Sequence, residues 1–176
     1  VLLSPGFASF DMFKDFEEYI LDSMLIEEEN FFIKKEAKSY REIIKEMGEH
    51  LFNKGYVKDS FTQAVLDRED VYPTGLQTIA GGVAIPHTDS KHVLTSALSI
   101  ATLKEPVDFR VMAEPEKTVP VSVVMMLAVA DPKKVVPVLR KVISIVEDQT
   151  AIEELISAVT KQQAMQIVIS HIKTHN

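Results

Sequence analysis

His87 is the residue around which chemistry can be built. It stands in the run Gly81-Gly82-Val83-Ala84-Ile85-Pro86-His87-Thr88-Asp89-Ser90, where small residues lead into a short apolar strand, a proline, the histidine and three residues of capping type. Proline fixes its own φ and drives the preceding residue into the extended region, so Pro86 stiffens the backbone and presents His87 at the C-terminal end of the strand. Ligands of open α/β sheets gather at that end. An imidazole with an unperturbed pKa of ~6.5 is largely neutral and nucleophilic near pH 7, which suits reversible phosphoryl transfer. One ring nitrogen attacks while the other must be held, by a backbone carbonyl or by the hydroxyl of Thr88 or Ser90. Thr88, Asp89 or Ser90 can cap a following turn whose amides would favour an anion beside the ring, with Asp89 a cap first and a site residue second. Arg68, at the end of the preceding helix, offers a guanidinium fork that matches phosphoryl oxygens.

These residues need elements to position them. Ser39 and Glu42 form a capping box ahead of Tyr40, Ile43, Ile44, Met47 and Leu51, and Gly55 supplies a left-handed stop. A second helix is predicted from Asp59 or Ser60 to Arg68 or Glu69, with Phe61, Ala64 and Val65 on one face, before the turn residues Pro73, Thr74 and Gly75. Strands are predicted over Gly82–Ile85, Ala97–Leu103 and Val119–Ala128, the last an apolar run of the kind buried on both faces of a sheet. Asp131 and Pro132 open an irregular turn and the regular helix is expected over Pro137–Glu147, because Pro137 lacks an amide. Thr150 with Glu153, and Thr160 with Gln163, read as capping boxes for two C-terminal helices. Interleaved helices and strands imply an α/β layer structure.

Composition narrows the function classes. The chain has 176 residues, 19 basic and 26 acidic side chains, a net charge of −7 and no cysteine. That excludes a disulfide scaffold, a thiolate zinc site and a cysteine nucleophile, and it fits a reducing cytoplasm. The acidic balance argues against nucleic-acid binding, which rests on cations neutralising phosphates. The uncharged apolar run Thr118–Ala130 has 13 residues, well short of the ~20 a membrane helix needs. Residues 1–23 carry Leu2, Phe7, Phe10, Phe13 and Phe16 without strong periodicity and read as an upstream extension, with a helix docked on the domain as the alternative; Met24 could be a natural start.

Other polar residues carry blander expectations. His87, Asp89 and His92 could be imagined as a metal site for a hydrolase, but the five-residue spacing from His87 to His92 is not the i, i+4 pair that shares one helical face. His171 and His175 have that spacing, yet lie at the end of the chain and read as a solvated tail. His50 reads as structural, Met125 and Met126 as packing residues on opposite sides of a strand, and Glu27–Glu29 as a solvated face.

Arg68-Glu69, Pro73-Thr74-Gly75, Val83-Ala84-Ile85-Pro86-His87 and Leu103-Lys104-Glu105-Pro106-Val107-Asp108-Phe109 resemble the fructose/mannitol type of enzyme IIA domain of the bacterial phosphoenolpyruvate-dependent sugar phosphotransferase system. The resemblance runs from roughly Glu27 to the C-terminus. The Arg68 to His87 spacing, the Tyr72-Pro73-Thr74-Gly75 turn and His92 look most like the galactitol-specific branch. It implies one α/β domain over 24–176, with a mixed central sheet flanked by helices on both faces. It further implies that His87 accepts a phosphoryl group from the phosphocarrier HPr and passes it to a IIB component, which serves a membrane IIC permease. Arg68 matches the arginine of the family's Arg-Glu motif, and no dissociable cofactor or metal is required. Mannitol-type members carry a second active-site histidine after the long buried strand; here Ala130–Lys141 has none, Val135 lies about there, and His92 either takes over part of that job or only marks the galactitol branch. Related IIA domains also serve regulation, so signalling by phosphorylation state is the alternative to transport.

Overall fold

The computed structural model describes residues 24–174. The expectations for residues 1–23 and for His175 fall outside them.

The backbone of the fold is a long antiparallel hairpin, β4 (Ala97–Val111) and β5 (Glu114–Ala128). Three shorter strands complete a mixed five-stranded sheet. β1 (Phe31–Lys35) runs parallel to β4, β3 (Gly82–Ala84) runs parallel to β5, and β2 (Gly75–Gln77) pairs antiparallel with β3 and meets the far end of β4 at Val111. Neither β1 nor β2 is anticipated above: one is five residues with an exposed end, the other three, too short for a period-two pattern to stand out. The hairpin is also longer than predicted. Its outer half is exposed on one side, and the register slips between Thr102 and Val107, where Lys104, Glu105 and Pro106 interrupt the apolar pattern.

A second slip, opposite Gly82 and Val83, lies between Val121 and Val123. It redirects the side chains of β5: Val119 and Val121 face one core, and beyond the slip Val123, Met125 and Leu127 face the other while Val124, Met126 and Ala128 return to the first. Two-sided burial therefore begins at Val123, not at Val119. Met125 and Met126 are fully buried on opposite faces, as expected.

Helices cover both faces. α1 (Tyr40–Asn53) and α2 (Phe61–Val71) bury Ile43, Ile44, Met47, Leu51, Phe61 and Val65 against one side. Ser39 Oγ accepts from Glu42 N as the capping box requires, and Gly55 takes φ 80° after the last turn. On the other side lie α3 (Val135–Glu147), α4 (Gln149–Ser157) and α5 (Lys161–Thr174). α3 starts two residues earlier than predicted, because Pro137 sits in the first turn where a missing amide costs nothing. The Thr160–Gln163 box is present in both directions. The Thr150–Glu153 box is not: Asp148 caps α4 by accepting from Ala151 N.

His171 corrects the solvated-tail reading. It is buried, its Nδ1 lies 2.9 Å from Asp148 Oδ2, and its Nε2 lies 3.3 Å from Ser144 Oγ, tying α5 to α3 and to the cap of α4. His50 is structural as expected, half-buried with Nε2 at 3.0 Å from Asn30 Oδ1. Of the acidic run, Glu28 and Glu29 are exposed, with Glu29 paired to Lys54, while Glu27 accepts from the Tyr56 hydroxyl.

Candidate functional site

The site forms where β3 ends beside α2. β3 can lie close to β5 because residue 82 is glycine: a Cβ there would stand 2.1 Å from the Pro120 carbonyl oxygen. Beyond the strand the chain stays tethered, with Ile85 N donating to Thr74 Oγ1 (3.1 Å) and Leu127 N donating to Pro86 O (3.1 Å). His87 emerges from this clamped segment half-buried, next to Leu127 of the central hairpin.

Of the holders left open by the sequence, the backbone carbonyl is the one used. His87 Nδ1 donates to Ile85 O at 2.7 Å, which fixes the tautomer and leaves Nε2 with its lone pair and no hydrogen-bond partner among the described residues. Nε2 is not among the buried atoms sealed off without a hydrogen bond. Burial lowers the His87 pKa, the Ile85 carbonyl opposes that shift, Arg68 adds to it and Asp89 opposes it. The ring is thereby kept neutral near pH 7, the state a nucleophile requires.

Arg68 lies in the last turn of α2, three residues before its end, and not at the terminus itself. Its guanidinium sits over the Tyr72 ring, 5.4 Å from the centroid, and its Nε is buried without a partner. Ser90 Oγ is in the same condition. Orphaned donors of this kind are rare in folded proteins and call for a function. Thr88, Asp89 and His92 join Arg68 and Tyr72 around an open cleft of ≈ 510 Å³. Ala64, expected on the core face, lines this cleft instead.

The capping expectation at Asp89 fails. Ser90–His92 form a single 3-10 turn, and Asp89 before it makes no side-chain cap hydrogen bond, so no helix N-terminus faces the ring. Ser60, the residue that precedes α2, makes no cap hydrogen bond with its side chain and meets His92 Nδ1 at 2.8 Å. His92 is also pinned through its backbone, its carbonyl accepting from Lys58 N. Among the described residues no cluster of three or more His, Cys, Asp or Glu is arranged to hold a metal ion.

A family model described as "Phosphoenolpyruvate-dependent sugar phosphotransferase system, EIIA 2" matches residues 24–171. The chain belongs to that family. Over 116 residues this EIIA domain is 30% identical to the galactitol-specific EIIA component of Escherichia coli, covering 66% of this chain and 77% of that protein. Over 98 residues it is 39% identical to the transcriptional regulator ManR of Bacillus subtilis, covering 56% of this chain but 14% of the regulator's length. The fold matches the IIAMTL component in the solved Escherichia coli complex of enzyme IIAMTL with phosphorylated enzyme IIBMTL. The TM-score is 0.65 with 24% identity, over 81% of this chain and 95% of that chain. The mixed sheet flanked by helices is thus the mannitol-type IIA architecture.

Within the EIIA domain, the region where mannitol-type members are expected to carry a second histidine holds Val135, half-buried against the core at the start of α3. Two site-building residues escaped the sequence reading. Glu69 is 3% exposed, and its carboxylate accepts from Thr74 N (2.8 Å) and from Thr74 Oγ1 (2.9 and 3.1 Å). Burial raises its pKa and the Thr74 hydrogen bonds oppose the rise. The available signal was positional: Glu69 continues the buried stripe of Phe61, Val65 and Leu66, where a charge has no place unless something holds it.

Proposed function

We propose that this EIIA domain carries a phosphoryl group on Nε2 of His87, taken from HPr and handed to a IIB component that serves a membrane IIC permease. The observation that carries this reading is the Nδ1 hydrogen bond to Ile85 O, which leaves Nε2 as the ring nitrogen free to attack. In the transfer the Nε2 lone pair forms a bond to phosphorus, the bond from phosphorus to the donor imidazole breaks, and its electron pair returns to the donor ring. The proton stays on Nδ1, hydrogen-bonded to the Ile85 carbonyl, throughout. Arg68 and Thr88, which line the cleft, supply hydrogen bonds to the phosphoryl oxygens, and Ser90, whose hydroxyl is buried beside them in the chain, supports the turn that carries Thr88. His92, fixed by Ser60, adds a donor to the same cleft. Asp89 is placed to repel a dianion and so to favour hand-off over storage.

The relationship to a galactitol-specific component supports a sugar alcohol as the transported substrate, and the proposed phosphocarrier chemistry is that of a cytoplasmic phosphotransferase that needs no dissociable cofactor. Residues 1–23 would extend a domain beginning at about 24. Incubation with phosphoenolpyruvate, enzyme I and HPr should give an acid-labile phosphoadduct that His87→Ala abolishes; undiminished labelling of that variant refutes the assignment.

The similarity to a transcriptional regulator favours a second reading, in which the phosphorylation state of His87 is the signal. Prompt dephosphorylation by a cognate IIB in the presence of sugar supports transport; a phosphoadduct indifferent to every IIB supports signalling.

A further inference from the structure

We propose that Glu69 is a positioning residue for His87, acting through Thr74 and the Ile85 backbone; this rests on His87 being the phosphoryl acceptor. The connection is continuous. The Glu69 carboxylate takes the single hydroxyl hydrogen of Thr74, and that donation orients a Thr74 lone pair toward Ile85 N. The carbonyl of the same Ile85 accepts from His87 Nδ1 at 2.7 Å. Ile85 is therefore gripped on its amide by Thr74 while its carbonyl grips the imidazole.

The arrangement runs against stability, which is why it points to function. Among the described residues Glu69 makes no ion pair, so a carboxylate is buried with Thr74 alone as its hydrogen-bond partner. A buried charge of this kind is costly, and an apolar residue continuing the α2 stripe would avoid the cost. What the carboxylate adds over a neutral acceptor is direction. Ionised, it only accepts, so the Thr74 hydrogen must point to it and cannot compete with the Ile85 amide. An amide at this position could donate to Thr74 Oγ1 and turn the hydroxyl hydrogen toward Ile85 N–H. The Ile85 carbonyl would then lose its fixed place, and the ring its fixed tautomer.

The experiment reads the unphosphorylated full chain by imidazole 15N NMR, together with the rate of phosphoryl transfer from HPr. The wild type should show one His87 tautomer, protonated at Nδ1. Glu69→Gln and Thr74→Val should populate the second tautomer and slow transfer by about tenfold to a hundredfold, the scale of a small misplacement of a reacting group. Thr74→Ser, which keeps the hydroxyl, should restore both readouts. Should Glu69→Gln not fold, Glu69→Asp takes its place, keeping the buried charge but shortening its reach. Folded variants with the wild-type tautomer overturn the proposal, whether or not their rates fall, because the ring would then be held without Glu69. A wild type that takes no label refutes the reading of function instead; a labelled wild type with indistinguishable variants refutes only the positioning role.

Discussion

At the scale of single residues, the protonation of His87 decides the pH response. Burial first, and Arg68 second among the depressing influences, hold its pKa below the usual value, against the Ile85 carbonyl and Asp89. A protonated Nε2 has no lone pair to attack phosphorus, so acceptance from HPr should stay constant as pH falls from 8 and decline only below ~6.5, the unperturbed histidine value. The same shift has a sign for stability. The folded state binds fewer protons at His87 than the unfolded chain, so this group costs stability as pH drops from ~6.5 through the lowered folded value. Arg68→Ala should both slow transfer and move the acid limb upward, because a depressing charge is removed. A pH–rate series on the two proteins tests this, and an unmoved limb with an unchanged rate would take Arg68 out of the site. His87 and Arg68 were legible because each stands in a short contiguous motif whose residue types announce their chemistry. Glu69 and Thr74 stand in such motifs too, but their roles were not legible, since those lie in hydrogen bonds spanning five and eleven residues, and only the packing of α2 on the sheet reveals that Glu69 is buried.

At the scale of elements, the C-terminal helices hang on Asp148. One carboxylate oxygen caps α4 through Ala151 N and the other holds His171 Nδ1, while Ser144, whose hydroxyl donates to Lys141 O, faces the second ring nitrogen. Asp148 and Thr150 are both residues of N-cap type; the capping-box rule selects Thr150, and the structure uses Asp148. The tie is broken by His171, buried on α5 and needing an acceptor, a requirement that no local pattern expresses. Asp148→Ala should therefore cost more than a cap alone, about 1 kcal/mol for the lost cap and about 1–3 kcal/mol for the hydrogen bond that the buried imidazole loses. Thr150→Ala, on the exposed side of α4, should stay within about 0.5 kcal/mol of wild type. Urea denaturation of both variants at pH 7 decides it, and equal losses would show that Thr150 shares the cap.

At the scale of the whole molecule, the β4–β5 hairpin is the common wall of two cores, and the site is built where a short strand is pressed against it. The apolar run from Val123 to Ala128 made the central strand legible, yet the slip between Val121 and Val123 that sorts its side chains between the cores was hidden, because a bulge alters register without altering composition. That slip faces Gly82 and Val83, the residues that lead to Ile85 and His87. Core packing and the placement of the imidazole are thus coupled through one close approach of backbones. Gly82→Ala would set a methyl group 2.1 Å from the Pro120 carbonyl oxygen, a contact that neither rigid backbone can tolerate. β3 must shift away from β5, straining the Leu127 to Pro86 hydrogen bond that fixes the segment just before the histidine. Overpacking of this kind costs about 1–3 kcal/mol. The coupling predicts more than that loss: at a temperature where the variant is still folded, its phosphorylation by HPr should be slowed as well. A Gly82→Ala protein that is destabilised but accepts phosphate at the wild-type rate would show that the clamp at Ile85 and Pro86 holds His87 independently of how β3 seats on the sheet.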